Sequence, residues 1–503
     1  ASQPKRRMTP EPSLPLNTAI PRPPWRGFCV AALVLAGRAL HIRRTMKRLL
    51  VLLLCLLPVT ATAETRVPGS QAEISLSFAP LVRDTAPAVV NIYVRFVTEA
   101  RRRTPFMDDP FFERFFEGFG PPTPRVQNSL GSGVILSADG IVVSNYHVVG
   151  QATDINVVLN DGREYAARVL LGDQASDLAI LQLYGVDDLP FLPLRDSETV
   201  EVGELVLAIG NPFGVGQTVT SGIVSALARS GGSNGRGAGY FVQTDAPSNP
   251  GNSGGALVDV AGRLIGVNTR ILSRSGGSNG IGFAIPADLV AAVLRQARDG
   301  NDRFVRPWAG ATGQAVAAAL AGMLGQDSPA GIILAGLHPA SPLVEAGFEV
   351  GDVVTHVDGA PVNSPGEMLY RMSVASVRDT ARMVRLRDGD AVTLDVSLIP
   401  PPDTPPRNAI TLPEGTSLPG LTVARINPSV IAELNLLIAA TGVVVLETGP
   451  VGRRVGLRRG DVLQRINRRD IDTPEQAAAI LSEATRGTSV RALRGNSRVM
   501  LRF

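Results

Sequence analysis

A glycine-flanked serine is the strongest candidate for a reactive side chain in this sequence. Ser253 lies within Asn249-Pro250-Gly251-Asn252-Ser253-Gly254-Gly255. Small neighbours let a substrate approach the backbone closely, and they let the N–H groups of Gly251 and Ser253 point at one oxyanion. A Gly-rich serine on its own is more often a turn, so the interpretation depends on partner groups elsewhere in the chain.

Two upstream segments contain the partners that a serine nucleophile requires. His147 lies in Ser144-Asn145-Tyr146-His147-Val148-Val149, and Asp177 leads into the apolar run Leu178-Ala179-Ile180. Singly, such a histidine is usually structural and such an aspartate is usually a turn or a cap. Together they give the trypsin-like chain order His, Asp, Ser, in which Asp177 stands where a buried orienting carboxylate could lie.

The segment around Ser253 also satisfies G-x-S-x-G, which is typical of the nucleophile elbow of α/β-hydrolases. That fold needs its histidine after the serine. The only downstream histidines are His338 and His356. Both fall in or beside a repeated module, where their default interpretation is structural. Chain order therefore argues against the hydrolase alternative.

Composition restricts the chemistry further. The 503-residue chain has four His and two Cys, and Lys5 and Lys47 are its only lysines. Because Cys29 and Cys55 also precede residue 64, residues 64–503 contain neither Lys nor Cys. A Ser-Lys dyad, a Schiff-base lysine and a Cys nucleophile are thereby excluded from that region, and a Cys/His zinc site has no support.

The first 63 residues are predicted to serve targeting. From Met46 a basic start leads into the apolar run Leu49–Val59 and then Ala61-Thr62-Ala63. This pattern is typical of a secretory signal peptide, here 46–63, and the apolar run is about half the ~20 residues that span a membrane. Residues 1–45 are interpreted as an upstream extension. The exported protein is expected in the periplasm.

Charge is distributed unevenly along the chain. Residues 1–63 hold ten Lys/Arg and one acidic residue, whereas residues 64–503 hold 39 basic against 44 acidic residues. Nucleic-acid binding through a basic surface is therefore not expected. With 44% hydrophobic residues the chain can build packed cores, and its length predicts about two to four domains.

Short β-type runs separated by Gly, Asn and Asp extend from about Ser77 to Pro286 and predict an all-β barrel or sandwich. One segment differs, because six of the sixteen Phe fall between Phe106 and Phe119. Its simpler interpretation is a small helix packed on its own barrel. The alternative is a mobile loop whose aromatics dock elsewhere or on another subunit.

An internal repeat follows. The run Gly347–Val354 matches Gly456–Leu463 at an offset of 109 residues, and Ser364-Pro365 matches Thr473-Pro474 at the same offset. Such matches indicate a duplicated module. Between the copies, the Pro-rich run 400–406 predicts a stiff, extended linker.

The segments around His147, Asp177 and Ser253, with Gly210–Gly214 and Thr218–Ser225, closely resemble the HtrA family of serine proteases, over roughly residues 75–503. The repeats resemble the two PDZ domains of its Do (DegP/DegQ-like) branch. The resemblance implies a mostly β fold: a chymotrypsin/trypsin-like double β-barrel followed by two α+β PDZ domains. The expected divisions are an upstream extension at 1–45, a signal peptide at 46–63, a trypsin-like serine protease domain at 64–300, PDZ domain 1 at 305–399, a Pro-rich linker at 400–416 and PDZ domain 2 at 417–503.

The same resemblance implies roles for the site residues. Ser253 would be the nucleophile, His147 the general base and then acid, and Asp177 the group that orients the imidazole. The backbone N–H groups of Gly251 and Ser253 would form the oxyanion hole. An aliphatic pocket without an acid at its base favours small aliphatic P1 residues. Its expected walls are Ile271, Leu272 and Ile281.

Two further elements resemble regulatory and ligand-binding parts of the family. The Phe-rich segment resembles the regulatory loop and lacks cysteines, as in the DegQ type; its expected contact residues are Phe111, Phe112, Phe115 and Phe116. The carboxylate-binding loop of PDZ domain 1 is expected at Ala309, Gly310 and Ala311, which are smaller than the usual aliphatics.

The resulting hypothesis is an ATP-independent serine endopeptidase that degrades misfolded or damaged envelope proteins. No metal or organic cofactor is implied. Unfolded substrates, peptide C-termini at the PDZ domains and further copies of the chain, in a homotrimer or multiples of it, are the expected partners. The alternative is a chaperone, holdase or PDZ scaffold in which proteolysis is secondary.

Overall fold

A computed structural model describes part of the chain, all of it within one compact unit, Ser77–Phe503. The predicted extension 1–45, the signal peptide 46–63 and the four regulatory Phe residues lie outside the described residues. No helix among the described residues is long and apolar enough to cross a membrane. The described ranges are 77–97, 126–150, 152–211, 216–230, 240–249, 251–272, 278–324, 326, 328–375, 379–483 and 487–502.

Two closed six-stranded antiparallel barrels form the first half of this unit. The strand order is β1-β2-β3-β6-β5-β4 in the first and β10-β11-β12-β9-β8-β7 in the second. The first barrel comprises β1 (Val89–Val97), β2 (Val126–Ile135), β3 (Ile141–Ser144), β4 (Asp154–Val158), β5 (Glu164–Asp173) and β6 (Leu178–Leu183). The second comprises β7 (Leu205–Gly210), β8 (Thr218–Ser230), β9 (Tyr240–Thr244), β10 (Ala256–Asp259), β11 (Leu264–Ile271) and β12 (Gly282–Pro286).

Short helices border the barrels. Helix α1 (Ala79–Thr85) and the 3-10 turn Ala86–Ala88 precede β1. Helix α2 (Tyr146–Val149) follows β3, a 3-10 turn (Ser197–Thr199) precedes β7, and α3 (Ala287–Arg298) follows β12.

The apolar runs of β3 and β6 are buried on both faces because they separate two cores. Since side chains alternate across a strand, Val142 and Leu181 point into the core of the first barrel. Val143 and Ile180 belong instead to a core shared with β7, β10 and α3. This shared core fixes one barrel against the other.

Two further sheets confirm the predicted repeat. The first has the order β13-β14-β15-β17-β18, with β16 on β15, and the second has β19-β20-β21-β22-β24-β25, with β23 on β22. The first module contains β13 (Ala311–Ala315), α4 (Ala318–Ala321), a 3-10 turn (Gly322–Leu324), β14 (Ile332–Leu337), α5 (Pro342–Glu345), β15 (Val353–Val357), β16 (Ala360–Pro361), α6 (Pro365–Val374), β17 (Thr380–Arg387) and β18 (Asp390–Ser397). The second contains β19 (Ile410–Thr411), β20 (Leu421–Arg425), α7 (Pro428–Leu434), β21 (Val443–Thr448), α8 (Gly449–Arg454), β22 (Val462–Ile466), β23 (Arg469–Asp470), α9 (Pro474–Ser482), β24 (Ser489–Arg494) and β25 (Ser497–Arg502).

Equivalent residues stabilise both copies. Buried Asp352 pairs with Arg387, and buried Asp461 pairs with Arg494, at 2.6 and 2.7 Å. The hydroxyl of Ser364 accepts the first-turn N–H of α6, and Thr473 does the same for α9. Such side-chain caps begin helices at the Ser/Thr-Pro positions that the repeat pattern predicts.

The first module docks on the second barrel through α6. Tyr370 stacks on Tyr240 with ring centroids 4.0 Å apart and an interplanar angle of 7°. The guanidinium of Arg371 lies 2.7 Å from the carboxylate of Glu198, and Arg295 donates to the carbonyl of Val374 at 2.9 Å. The mostly β fold with a double barrel followed by two β-rich modules is confirmed.

Candidate active site

The three residues predicted to do the chemistry come from three separate turns that meet between the barrels. His147 lies on α2, directly after β3. Asp177 occupies the turn between β5 and β6, with a left-handed backbone (φ 58°) that Asp tolerates better than most residues. Ser253 lies in the turn that precedes β10. Each side chain is thus held at the end of a buried strand.

His147 and Asp177 are joined by three hydrogen bonds. The Nδ1 atom of His147 lies 2.9 and 2.8 Å from the two carboxylate oxygens of Asp177, and its backbone N–H donates to Oδ1 at 3.0 Å. The backbone carbonyl of Asp177 accepts the N–H of Tyr146 and the side-chain amide of Asn145. An imidazole held through Nδ1 presents its other nitrogen, Nε2, for proton transfer.

Thr269 connects the acid to the serine, a role that sequence reasoning missed. Its hydroxyl donates to Asp177 Oδ2 at 2.6 Å, and its backbone carbonyl accepts from Ser253 Oγ at 2.9 Å. Because Thr269 is buried in β11 of the second barrel, it ties Asp177 of the first barrel across the junction. It stands between Asn268 and Arg270 in the polar part of β11, so nothing in the sequence distinguishes it from its neighbours.

Ser132 is a second residue that sequence reasoning missed. It is fully buried in β2 of the first barrel. Its hydroxyl donates to the carbonyl of Gly251 at 2.7 Å, and its N–H donates to the carbonyl of Ser253 at 2.9 Å. The same hydroxyl accepts the N–H of Asn211. Ser132 therefore fastens the serine turn at both sides of the nucleophile.

The two glycines after the serine are required by close backbone approach. Gly254 has φ 84°, and a Cβ there would lie 2.0 Å from the carbonyl oxygen of Ser132. A Cβ on Gly255 would lie 2.3 Å from the carbonyl oxygen of Ile209. Gly251 is also left-handed, with φ 100°. These positions explain the Gly-x-Ser-Gly-Gly spacing in terms of backbone geometry.

The predicted oxyanion donors remain available. No described residue accepts a hydrogen bond from the N–H of Gly251 or of Ser253. Because a buried backbone donor normally finds a partner, two adjacent donors without one suit an incoming oxyanion.

The predicted pocket residues lie on adjoining strands. Ile271 ends β11 and is buried, and Leu272 donates its N–H to the carbonyl of Ile281 at 3.0 Å. The side chain of Leu272 is 62% exposed, and Ile281 is half-buried. The structure therefore brings the three residues together at the rim of the second barrel, and their role as pocket walls stays a prediction.

The turn that carries Asp177 is held by Arg306, which lies in the segment between α3 and β13. Asp173 is buried at the end of β5, and Arg306 donates to it through both Nη atoms, through Nη1 at 2.9 Å. Asp173 also accepts the N–H of Ser176 at 2.8 Å and the hydroxyl of that residue. Burial by itself would raise the pKa of Asp173, but these donors outweigh it and hold that pKa below its ordinary value.

The predicted carboxylate loop of the first module precedes its edge strand. Ala309 is buried, Gly310 has φ 58°, and Ala311 begins β13. The carbonyls of Ala309 and Gly310 accept from the Ser341 hydroxyl and the His338 N–H, which orients the loop. Burial lowers the pKa of His338.

Comparisons with known proteins agree with this geometry. Residues 131–267 match the family described as "Trypsin-like peptidase domain", and residues 313–398 match "PDZ domain". The chain is 34% identical to the periplasmic pH-dependent serine endoprotease DegQ of Escherichia coli K12, covering 87% of this chain and 94% of that protein. It is 38% identical to a probable periplasmic serine endoprotease, DegP-like, of Halomonas elongata, covering 81% and 88%. A solved structure of the HtrA-type protease AlgW with a tripeptide is 39% identical, with a TM-score of 0.50 over 65% of this chain and 99% of that one.

Proposed function

The chain belongs to the HtrA family of trypsin-like serine endoproteases, and from this premise we propose that it degrades misfolded or damaged envelope proteins in the periplasm without ATP. Its relatives are named periplasmic endoproteases, which supports the compartment. The observation that carries the proposal is the hydrogen-bonded series His147, Asp177, Thr269 and Ser253.

In this mechanism Ser253 Oγ attacks the scissile carbonyl carbon while His147 Nε2 takes its proton. Asp177 keeps the imidazole in the required tautomer and stabilises the imidazolium, and the N–H groups of Gly251 and Ser253 bind the oxyanion. His147 then donates the proton to the leaving amine. A water molecule repeats the sequence and releases the acyl group from Ser253.

Attack requires the Ser253 hydroxyl to change its hydrogen-bond partner. Ser253 Oγ donates to the Thr269 carbonyl, so the hydroxyl must rotate toward His147 before attack. Catalytic hydrogen bonds are commonly loose without substrate and tighten in the Michaelis complex. The rotation moves one hydroxyl and leaves the bond between Thr269 and Asp177 unchanged.

The pocket formed by Ile271, Leu272 and Ile281 would accept small aliphatic P1 side chains. None of these three walls is an acidic residue that could pair with Arg or Lys at P1. Digestion of a peptide library should therefore give cleavage mainly after Val, Ala or Ile. Comparable cleavage after Arg would contradict this assignment.

The remaining assignments rest on the family. We assign the protease domain to 64–300, PDZ domains to 305–399 and 417–503, and a homotrimer or a multiple of it as the assembly. Signal cleavage should leave Glu64 as the first residue of protein recovered from the periplasm, which N-terminal sequencing checks. Analytical ultracentrifugation should give a mass that is a multiple of three chains.

Casein digestion tests the enzymatic proposal directly. The purified chain should digest casein without ATP or added metal, Ser253→Ala should abolish digestion, and the neighbouring Ser248→Ala should not. Digestion by Ser253→Ala, with contaminants excluded, would show that the nucleophile is wrong. If Ser253→Ala still prevents aggregation of an unfolded client while the parent digests it slowly, the chaperone or scaffold alternative becomes the main function.

A further inference from the structure

The two PDZ modules differ at the sheet edge where a peptide groove would lie. In each module one helix lies beside this edge, α6 in the first and α9 in the second, and it is called the groove helix below. In the first module, β13 is the outermost strand of its sheet and α6 lies beside it. No other described strand pairs with the outer edge of β13. An extended peptide can therefore add to this edge, which is how PDZ domains bind their ligands.

In the second module the equivalent edge is already paired. β20 holds the same place in the sheet order as β13, but β19 pairs antiparallel with it, with Ile410 opposite Val423 and Thr411 opposite Thr422. The hydroxyls of the two threonines lie 2.9 Å apart, and β19 also contacts α9. Part of the predicted linker 400–416 therefore lies between the edge strand and the groove helix.

Leu412 occupies the place of a ligand's last residue. Its N–H donates to the carbonyl of Leu421 at 2.8 Å, and its own carbonyl accepts the N–H of Gly420 at 3.0 Å. Gly420 precedes β20 as Gly310 precedes β13, and both glycines have positive φ. The carbonyl of Leu412 thus takes a loop N–H that a terminal carboxylate would use.

The side chain of Leu412 fills the corresponding pocket. It is 2% exposed and belongs to the core of the module. The same core contains Leu418, Leu421 and, from the groove helix, Ala477. Ile410 packs against the same core, whereas Thr411 between them is exposed. This alternation is that of a strand whose first and third residues face a groove.

The chain just before β19 is fastened to the same module. The backbone carbonyl of Arg407 accepts the N–H of Arg425 at 2.7 Å, and its guanidinium donates to Glu433 at 2.8 Å. Asn427 donates its amide to Asp403 at 2.8 Å. These bonds hold the segment close to the groove. The chain therefore loses little conformational entropy when β19 pairs with β20.

We propose that Ile410-Thr411-Leu412 is a built-in ligand of PDZ domain 2, so that only PDZ domain 1 has an open peptide groove. A competing ligand of domain 2 is a peptide whose C-terminus has the same chemistry: aliphatic, small polar, aliphatic. The inference rests on the assignment of peptide binding to PDZ grooves but not on the protease mechanism. It is therefore tested in a Ser253→Ala chain, where digestion plays no part.

The tether sets the size of the expected effect. A short tether gives an effective concentration on the order of 1 mM. For a free peptide whose intrinsic Kd at the groove is about 10 µM, the apparent Kd should therefore rise about 100-fold. At micromolar peptide, domain 2 of the parent chain should contribute no binding.

Isothermal titration with a decapeptide ending in Ala-Ile-Thr-Leu with a free carboxylate measures the number of sites per chain. Leu412→Gly should gain one site relative to the Ser253→Ala parent, whereas the matched variant Thr411→Ala, altered at the exposed position, should not. Hydrogen exchange in β21 reports whether the domain stays folded. An equal number of sites in a folded Leu412→Gly chain, or a domain 2 site of full affinity in the parent, would overturn the proposal.

A disulfide gives a test that does not depend on loss of Leu412. Thr411→Cys with Thr422→Cys, in a chain with Cys29 and Cys55 replaced by Ser, places two thiols at directly opposed strand positions. At millimolar peptide the reduced chain should show a weak additional site, and oxidation should abolish it. If oxidation leaves that site unchanged, or if the bridge does not form, β19 does not occupy the groove.

Discussion

Replacing Thr269 by valine should slow catalysis while leaving the fold intact. Valine keeps the shape and β-branching of threonine, and the backbone carbonyl that accepts from Ser253 is unchanged. The only group lost is the hydroxyl that donates to Asp177 at 2.6 Å. Without it, Asp177 Oδ2 keeps its contact with His147 Nδ1 but loses the donor that fixes the carboxylate from the second barrel.

The magnitude follows from the kind of bond removed. A hydrogen bond to a charged group contributes about 1.5–3 kcal/mol, and each 1.36 kcal/mol in the activation free energy is about tenfold in rate. The value of kcat/KM should therefore fall about ten- to one-hundred-fold. Because the Thr269 hydroxyl is directed at Asp177 and not at substrate, the loss should appear in kcat, with KM nearly unchanged.

The assay is initial-rate cleavage of an internally quenched peptide with an aliphatic P1 residue, beside Thr269→Ser and Ser253→Ala. Thr269→Ser restores the hydroxyl and should regain most of kcat, while Ser253→Ala sets the background. Thermal unfolding shows whether each variant keeps the parental Tm. A folded Thr269→Val enzyme with parental kcat would refute the reasoning, because the hydroxyl would then not position Asp177.

Three other variants test separate contacts. Asp173→Asn should lower the free energy of unfolding at pH 7 by about 1.5–3 kcal/mol, since the charge-assisted hydrogen bonds with partly exposed Arg306 are lost. Because those bonds lower the folded-state pKa, the difference is full above the unfolded pKa and should shrink as pH falls toward the folded one; urea unfolding at pH 7 and pH 3 measures this, and an equal difference at both would contradict it. Gly254→Ala places a Cβ against the carbonyl of Ser132 and should slow the rate of active-site labelling by a fluorophosphonate more than about a hundredfold. Labelling at the parental rate would contradict this expectation. Tyr370→Leu removes the ring stack between the second barrel and the first module, which contributes about 0.5–1.5 kcal/mol to their docking. Added protease should then cut faster between the two, and an unchanged rate of cutting would show that the stack does not stabilise the docking.

The sequence predicts the fold and the reactive side chains because both have local signals. Short apolar runs separated by Gly, Asn and Asp mark the barrel strands, and the 109-residue offset marks the duplicated modules. His147, Asp177 and Ser253 stand in distinctive segments whose chain order excludes the hydrolase alternative. Their positions follow from motif and chain order alone.

The supporting residues have no such signal. Thr269 acts through one hydroxyl and one carbonyl, and Ser132 acts through bonds to the backbone of Gly251 and Ser253. A serine or threonine in a strand is common, and its partners lie far away in sequence, across the junction of two barrels. Only the folded structure shows that these two residues hold the serine turn and the acid in place.

The strand Ile410–Thr411 was hidden for a different reason. Two residues are too few to show a period, and the Pro-rich run before them predicts a linker. Yet the outer edge of β20 has N–H and C=O groups that either water or a further strand must satisfy. In the first module that requirement is left to an incoming peptide, whereas in the second the chain meets it with its own Leu412. One duplicated fold therefore yields an open groove and a filled one, and the difference lies in the segment that precedes the module.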